Sequence, residues 1–193
     1  MKKMFGTLGL LAMTMALCGV CGAQVSAAAK DAPKTVTSVL DAGVKGVEGE
    51  FVPAAEAMPE DKYGFAPTGG EFKGVRTFAQ QVKHVAAVNY MLGAAILQEK
   101  PPVELGGENG PDGIKSKADV VKFLKDSYAY AHKAVGTITP DNLIGEVPSP
   151  FGRGKSTRMG LAILITAHSF DHYGQMVEYL RMNGIVPPAS RGQ

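Results

Sequence analysis

Apolar residues recur at three- and four-residue intervals in four stretches of the chain, and no stretch shows the strict alternation of a half-buried strand. The pattern predicts an all-α protein, a four-helix bundle. Helix 1 is expected over residues 35–58, carrying Val36, Val39, Leu40, Val47, Phe51 and Val52, with a kink or break at Pro53. A polar loop over 59–70 leads to helix 2, expected over 71–98 and stopped by Pro101 and Pro102. Thr77, Gln81, His84, Val88, Met91 and Ala95 share one stripe of that helix. Ser116 and Asp119 fit the start of helix 3, which carries Val121, Leu124, Tyr128, Ala131 and Val135 on its core face and ends at Gly136. A long crossover over 137–155 separates helices 3 and 4. Ser156 or Thr157 can cap helix 4, which is expected to reach about residue 183, before Gly184.

His168 and His172 stand four residues apart on helix 4, so both imidazoles project from one face. They continue the apolar stripe of Leu161, Leu164 and Ile165, where an imidazole without a partner is costly. Neutral imidazole is the commonest protein ligand of transition metals, so a third inward histidine would complete a three-point metal site. The chain has two others. His84 lies mid-helix 2 on its apolar stripe and is the leading third ligand; His132, at the edge of the helix 3 stripe, is the reserve. Three histidines with an open fourth position form a catalytic arrangement, since structural zinc sites close with four protein ligands. Asp171, beside His172, is a candidate to orient a ligating imidazole. Gln175, Asn89 and Tyr90 are candidates to hydrogen-bond a bound water or a small-molecule substrate.

Other chemistries find less support. A carboxylate-bridged di-iron bundle needs Glu-x-x-His pairs, but Gln81, Ile165 and Ser169 precede the three histidines at that spacing. Gly152-Arg153-Gly154-Lys155-Ser156 resembles the end of a phosphate-binding loop, yet Ser149 stands where that motif requires glycine, and no strand is expected before it. Ser156, Ser169 and Ser190 lack a nucleophile-elbow context.

Met1-Lys2-Lys3, an apolar run over 4–20 and small residues over 22–27 follow the layout of a secretory signal peptide, expected to be cleaved near residue 27. The remainder, 28–193, suits one domain. The product is expected to be exported, periplasmic or extracellular, with no membrane attachment after cleavage, because no later segment is apolar enough to span. Both cysteines, Cys18 and Cys21, fall inside the leader, which argues against a disulfide or redox role. Loss of Lys2 and Lys3 from 20 basic against 18 acidic side chains leaves the remainder neutral, without the basic excess of a nucleic-acid binder. Tyr and Phe on exposed helix faces leave room for pairing of two copies as a homodimer, but no face is apolar enough to decide it.

The histidine of mid-helix 2, the run from His168-Ser169-Phe170-Asp171-His172 through Gly184-Ile185-Val186-Pro187-Pro188, the stretch Glu60-Asp61-Lys62-Tyr63-Gly64-Phe65-Ala66-Pro67 and Leu92 after Asn89-Tyr90 together resemble the DinB family. The resemblance extends over residues 35–188. It implies a four-helix bundle with a divalent metal, typically zinc or nickel, held by His84, His168 and His172. Relatives include transferases and isomerases that use low-molecular-weight thiols such as bacillithiol or mycothiol; the export signal is a departure from that pattern. Two functions follow as expectations: a metal-dependent transferase or hydrolase acting on a small molecule, or a noncatalytic metal-binding or interaction bundle.

Overall fold

The computed structural model describes residues 33–152 and 154–192; the expected leader over 1–27, with Cys18 and Cys21, lies outside the described residues. Thr35 caps α1 (Val36–Ala57): its hydroxyl accepts the Ser38 N–H at 3.0 Å, and the Ser38 hydroxyl accepts the Thr35 N–H at 2.9 Å. Of the expected kink or break, the break does not occur: Pro53 lies inside this helix. Phe51, Ala54 and Ala55 are fully buried on both sides of the proline, and this packing holds the helix together despite the hydrogen bond that proline removes.

The connection to α2 is pinned by aromatic side chains. The Tyr63 hydroxyl donates to the Ala55 carbonyl at 2.6 Å, and the Tyr63 ring meets Phe78 edge-on with centroids 5.3 Å apart. The carbonyls of Phe65 and Tyr63 accept the N–H groups of Phe78 and Ala79 at 2.8 and 2.9 Å, satisfying donors that a helix start leaves free. As a result α2 covers Phe78–Leu97, starting seven residues later than expected. Its cap is Thr77, whose hydroxyl accepts the Gln80 N–H while the Gln80 side chain accepts the Thr77 N–H. Gly74, at φ +81°, takes a left-handed turn just before it, which a helix cannot contain.

α3 (Lys117–Val135) starts and stops where the capping residues Ser116 and Gly136 predict. The crossover after it carries a feature that the periodicity does not reveal, an antiparallel pair of short strands, β1 (Glu146–Pro148) and β2 (Lys155–Thr157). Three residues are too few to show alternation, and of β1 only Val147 is buried. A strand therefore does precede Gly152-Arg153-Gly154-Lys155-Ser156, but Lys155 and Ser156 belong to β2 itself rather than to a phosphate-wrapping loop. Thr157 ends β2 and caps α4 (Arg158–Met182), its hydroxyl accepting the Gly160 N–H at 3.1 Å.

The four helices form the expected all-α bundle. α1 packs on α3 and α4, and α2 packs on the same two, so consecutive helices 1 and 2, and again 3 and 4, lie across diagonals. That arrangement is why the last two need a long crossover. Phe51, Phe78, Leu92, Leu124, Tyr128, Ile165 and Leu180 fill the centre with no exposed surface. Burial of each such side chain contributes roughly 1.5–3 kcal/mol, and this is what fixes α2 against α4 around the histidines. Among the described residues, no helix is long and apolar enough to cross a membrane.

Candidate metal centre

α2 and α4 run antiparallel: contacts pair Arg76 with Tyr179, Gln81 with Gln175 and His84 with His168. This register brings the mid-helix histidine of α2 onto the pair from α4. The ring centroids of His84 and His168 lie 5.0 Å apart, those of His84 and His172 4.8 Å, and those of His168 and His172 4.5 Å. One ring nitrogen from each lies within 4.8 Å of the other two. His84, His168 and His172 are thus positioned so that they could hold a metal ion.

The outer nitrogens determine which atoms face inward. His84 Nδ1–H donates to the Glu108 carbonyl at 2.6 Å, so its Nε2 carries a lone pair. His172 Nδ1–H donates to Gln81 Oε1 at 2.6 Å, and the Gln81 amide is oriented in turn by donating from Nε2 to Gln175 Oε1 at 2.8 Å. His172 Nε2 therefore also keeps its lone pair. His168 Nε2 approaches His84 Nε2 at 3.2 Å, and its Nδ1 is buried without a hydrogen-bond partner.

Electrostatics keep the cluster unprotonated. Burial lowers the His84 pKa and the charge of Arg76 lowers it further, against the Glu108 carbonyl and carboxylate. Burial, then His84, push His168 down to about 4, with Asp171 opposing. Burial, then His168 and His84, push His172 to about 3. Around neutral pH all three are neutral imidazoles, the form that binds metal. The donor set fits a divalent metal ion: three nitrogens, two with lone pairs oriented by the acceptors behind them, no carboxylate among them. A cation between the rings also relieves the repulsion of inward-facing lone pairs.

The loop behind His84 depends on glycine. Gly106 and Gly110 have φ of +69° and +74°, and a Cβ on Gly110 would lie 2.5 Å from the Cβ of Lys83. Only glycine lets residues 105–110 lie against α2 closely enough to present the Glu108 carbonyl. The same loop, with Ala87, Val88 and Met91 of α2 and Phe151 from the turn between β1 and β2, lines a half-open, mainly apolar cavity of about 370 Å³ with His84 in its wall. A cavity of that size accommodates a small organic molecule.

The remaining candidates lie elsewhere or act differently. Asn89 is fully buried and donates to Ser127 Oγ of α3 at 3.3 Å. Tyr90 packs against Phe123 and Tyr130 of α3, with centroids 5.4 Å apart in both cases. Neither faces the histidines, because five and six residues beyond His84 lie roughly 140° and 240° around the helix. Asp171 is exposed and accepts from Gln175 Nε2 at 3.2 Å; the side chain that orients His172 is Gln81 instead. Gln175 stands one step further out, behind Gln81. His132 is remote from the cluster, between α1 and α3, with Nδ1 2.5 Å from Asp41 and Nε2 3.0 Å from Glu48. Sequence reasoning missed Gln81, Glu108 and Arg76 as parts of the site. For Gln81 a signal existed, its place three residues before His84 on the same stripe.

Comparison with known proteins agrees with this architecture. No curated protein matches the chain. A DinB-like protein from Bacillus subtilis is similar in structure, with a TM-score of 0.58 and 18% identity, over 80% of this chain and 99% of that one. A DinB-like protein from Bacillus cereus is similar at a TM-score of 0.60 and 15% identity, over 80% of this chain and 96% of that one. The family model of the DinB superfamily matches residues 45–176, more than half of the sequence and all three histidines. The chain belongs to the DinB superfamily.

Proposed function

We propose that this protein is a metal-dependent enzyme of small-molecule chemistry, a transferase or hydrolase, in which His84, His168 and His172 hold a divalent ion, zinc or nickel. One observation carries the reading: three neutral imidazoles converge beside an apolar cavity that has His84 in its wall, with no fourth protein ligand in the cluster among the described residues. Bound there, such an ion supplies Lewis acidity, which polarises a substrate oxygen or acidifies a water or thiol. The chain's own residues do the rest. The Glu108 carbonyl and the Gln81 amide hold two rings in register, and Ala87, Val88, Met91 and Leu105 give the substrate's side of His84 an apolar wall. The same reading places the working protein outside the cytoplasm, on the leader-like pattern of residues 1–27.

Cobalt substitution tests whether the site is open. The visible spectrum of the cobalt protein is expected to change when azide or a small thiol is added, because an exchangeable position takes up the new ligand. A spectrum that stays unchanged at saturating azide and thiol would mean a closed site, and with it a noncatalytic metal-binding bundle.

A further inference from the structure

Arg76 holds none of the three imidazoles in place, and its own hydrogen bonding is incomplete. It stands one residue before the Thr77 cap, and its backbone is tied down by the Tyr179 hydroxyl, which donates to the Arg76 carbonyl at 3.0 Å. The side chain is only 25% exposed, and its Nε is buried without a hydrogen-bond partner. A guanidinium offers five N–H donors, and leaving buried ones unpaired is costly. Its side-chain partner is Glu108, at 3.2 Å, whose own side chain is 90% exposed. An ion pair to so exposed a carboxylate is weak and easily exchanged.

Glu108 also lines the apolar cavity beside His84. Glu108 therefore links a half-satisfied guanidinium, through its carboxylate, to an apolar pocket that the same residue helps to line. A ligand with its tail among Val88, Met91, Leu105 and Phe151 brings its head toward Glu108. We propose that Arg76 recognises an anionic ligand, a small organic carboxylate whose apolar tail fills the cavity and whose head replaces Glu108 against the guanidinium. The planar fork of arginine matches a carboxylate through paired hydrogen bonds, which a neutral amide head cannot reproduce. As a statement about the substrate this rests on the metal-site reading; as a statement about binding it does not.

Calorimetric titration with hexanoate and its neutral counterpart hexanamide tests it, on metal-free and on zinc-loaded protein. Wild type is expected to favour hexanoate by at least about tenfold even without metal, the factor set by one charge-assisted hydrogen bond. Arg76→Gln removes the preference and leaves hexanamide binding unchanged, whereas Arg76→Lys keeps part of it. Glu108→Gln tightens hexanoate severalfold, because the internal competitor loses its charge; this variant leaves Arg76 intact and reads the same idea with the opposite sign. Equal hexanoate affinity in wild type and Arg76→Gln, or weaker binding in Glu108→Gln, would overturn the proposal. The metal-free arm involves no ion, so failure of the histidines to bind metal would leave this result standing, and failure here would leave the metal centre standing.

Discussion

At the residue scale, two of the imidazoles are held by acceptors of different kinds, a backbone carbonyl behind His84 and a side-chain amide behind His172. The amide is the more informative to perturb. Gln81→Leu keeps the volume and removes the acceptor, leaving His172 Nδ1–H buried and free to exchange tautomers. Metal affinity measured by competition with a chromophoric chelator is expected to fall about 10- to 100-fold, the usual effect of losing such an orienting partner. Unchanged affinity would mean that Gln81 only fills space. The His168 and His172 pair was legible in the sequence because both residues share one helix, where spacing alone sets direction. The Glu108 carbonyl was not, since a backbone acceptor from a loop 24 residues away leaves no mark in residue type. Asn89 and Tyr90 were drawn to the site by closeness along the chain, although helix rotation turns them toward α3.

At the scale of elements, His132 joins α3 to α1 rather than serving as a ligand. Both ring nitrogens meet carboxylates, Asp41 and Glu48, seven residues apart on α1. Burial lowers its pKa, but the hydrogen bonds and charges of Asp41 and Glu48 outweigh this and raise it. A histidine with a raised folded-state pKa adds stability that is complete below its unfolded value, about 6.5, and is lost as pH rises through the folded value. His132→Gln is therefore expected to lower Tm most near pH 6, with the difference from wild type shrinking toward pH 9, as thermal unfolding across that range would show. A difference independent of pH would contradict a charged clamp. The helix ends follow the same logic of local signals against periodicity. Ser116 and Gly136 mark α3 correctly, and the Thr77–Gln80 capping pair was equally readable for α2. The polar run from Glu71 gave no stop, because Gly74 acts through its backbone conformation, which sequence periodicity does not carry. β1 and β2 were hidden by their length.

For the whole molecule, the bundle follows from four amphipathic stripes, and the diagonal placement of α3 and α4 explains the long crossover between them. The cavity does not follow from any stripe. It needs one face of α2, the glycine-built loop over 105–110 and Phe151 from the turn between β1 and β2, three parts of the chain that meet only after folding. The proposed chemistry depends on the three histidines acting as one metal site. Elemental analysis of the purified protein, wild type beside His84→Ala, His168→Ala and His172→Ala with folding checked by circular dichroism, tests this most directly. About one zinc or nickel ion per wild-type chain is expected, with loss of stoichiometric metal in each folded variant. Stoichiometric metal retained in folded His84→Ala and His168→Ala would contradict it.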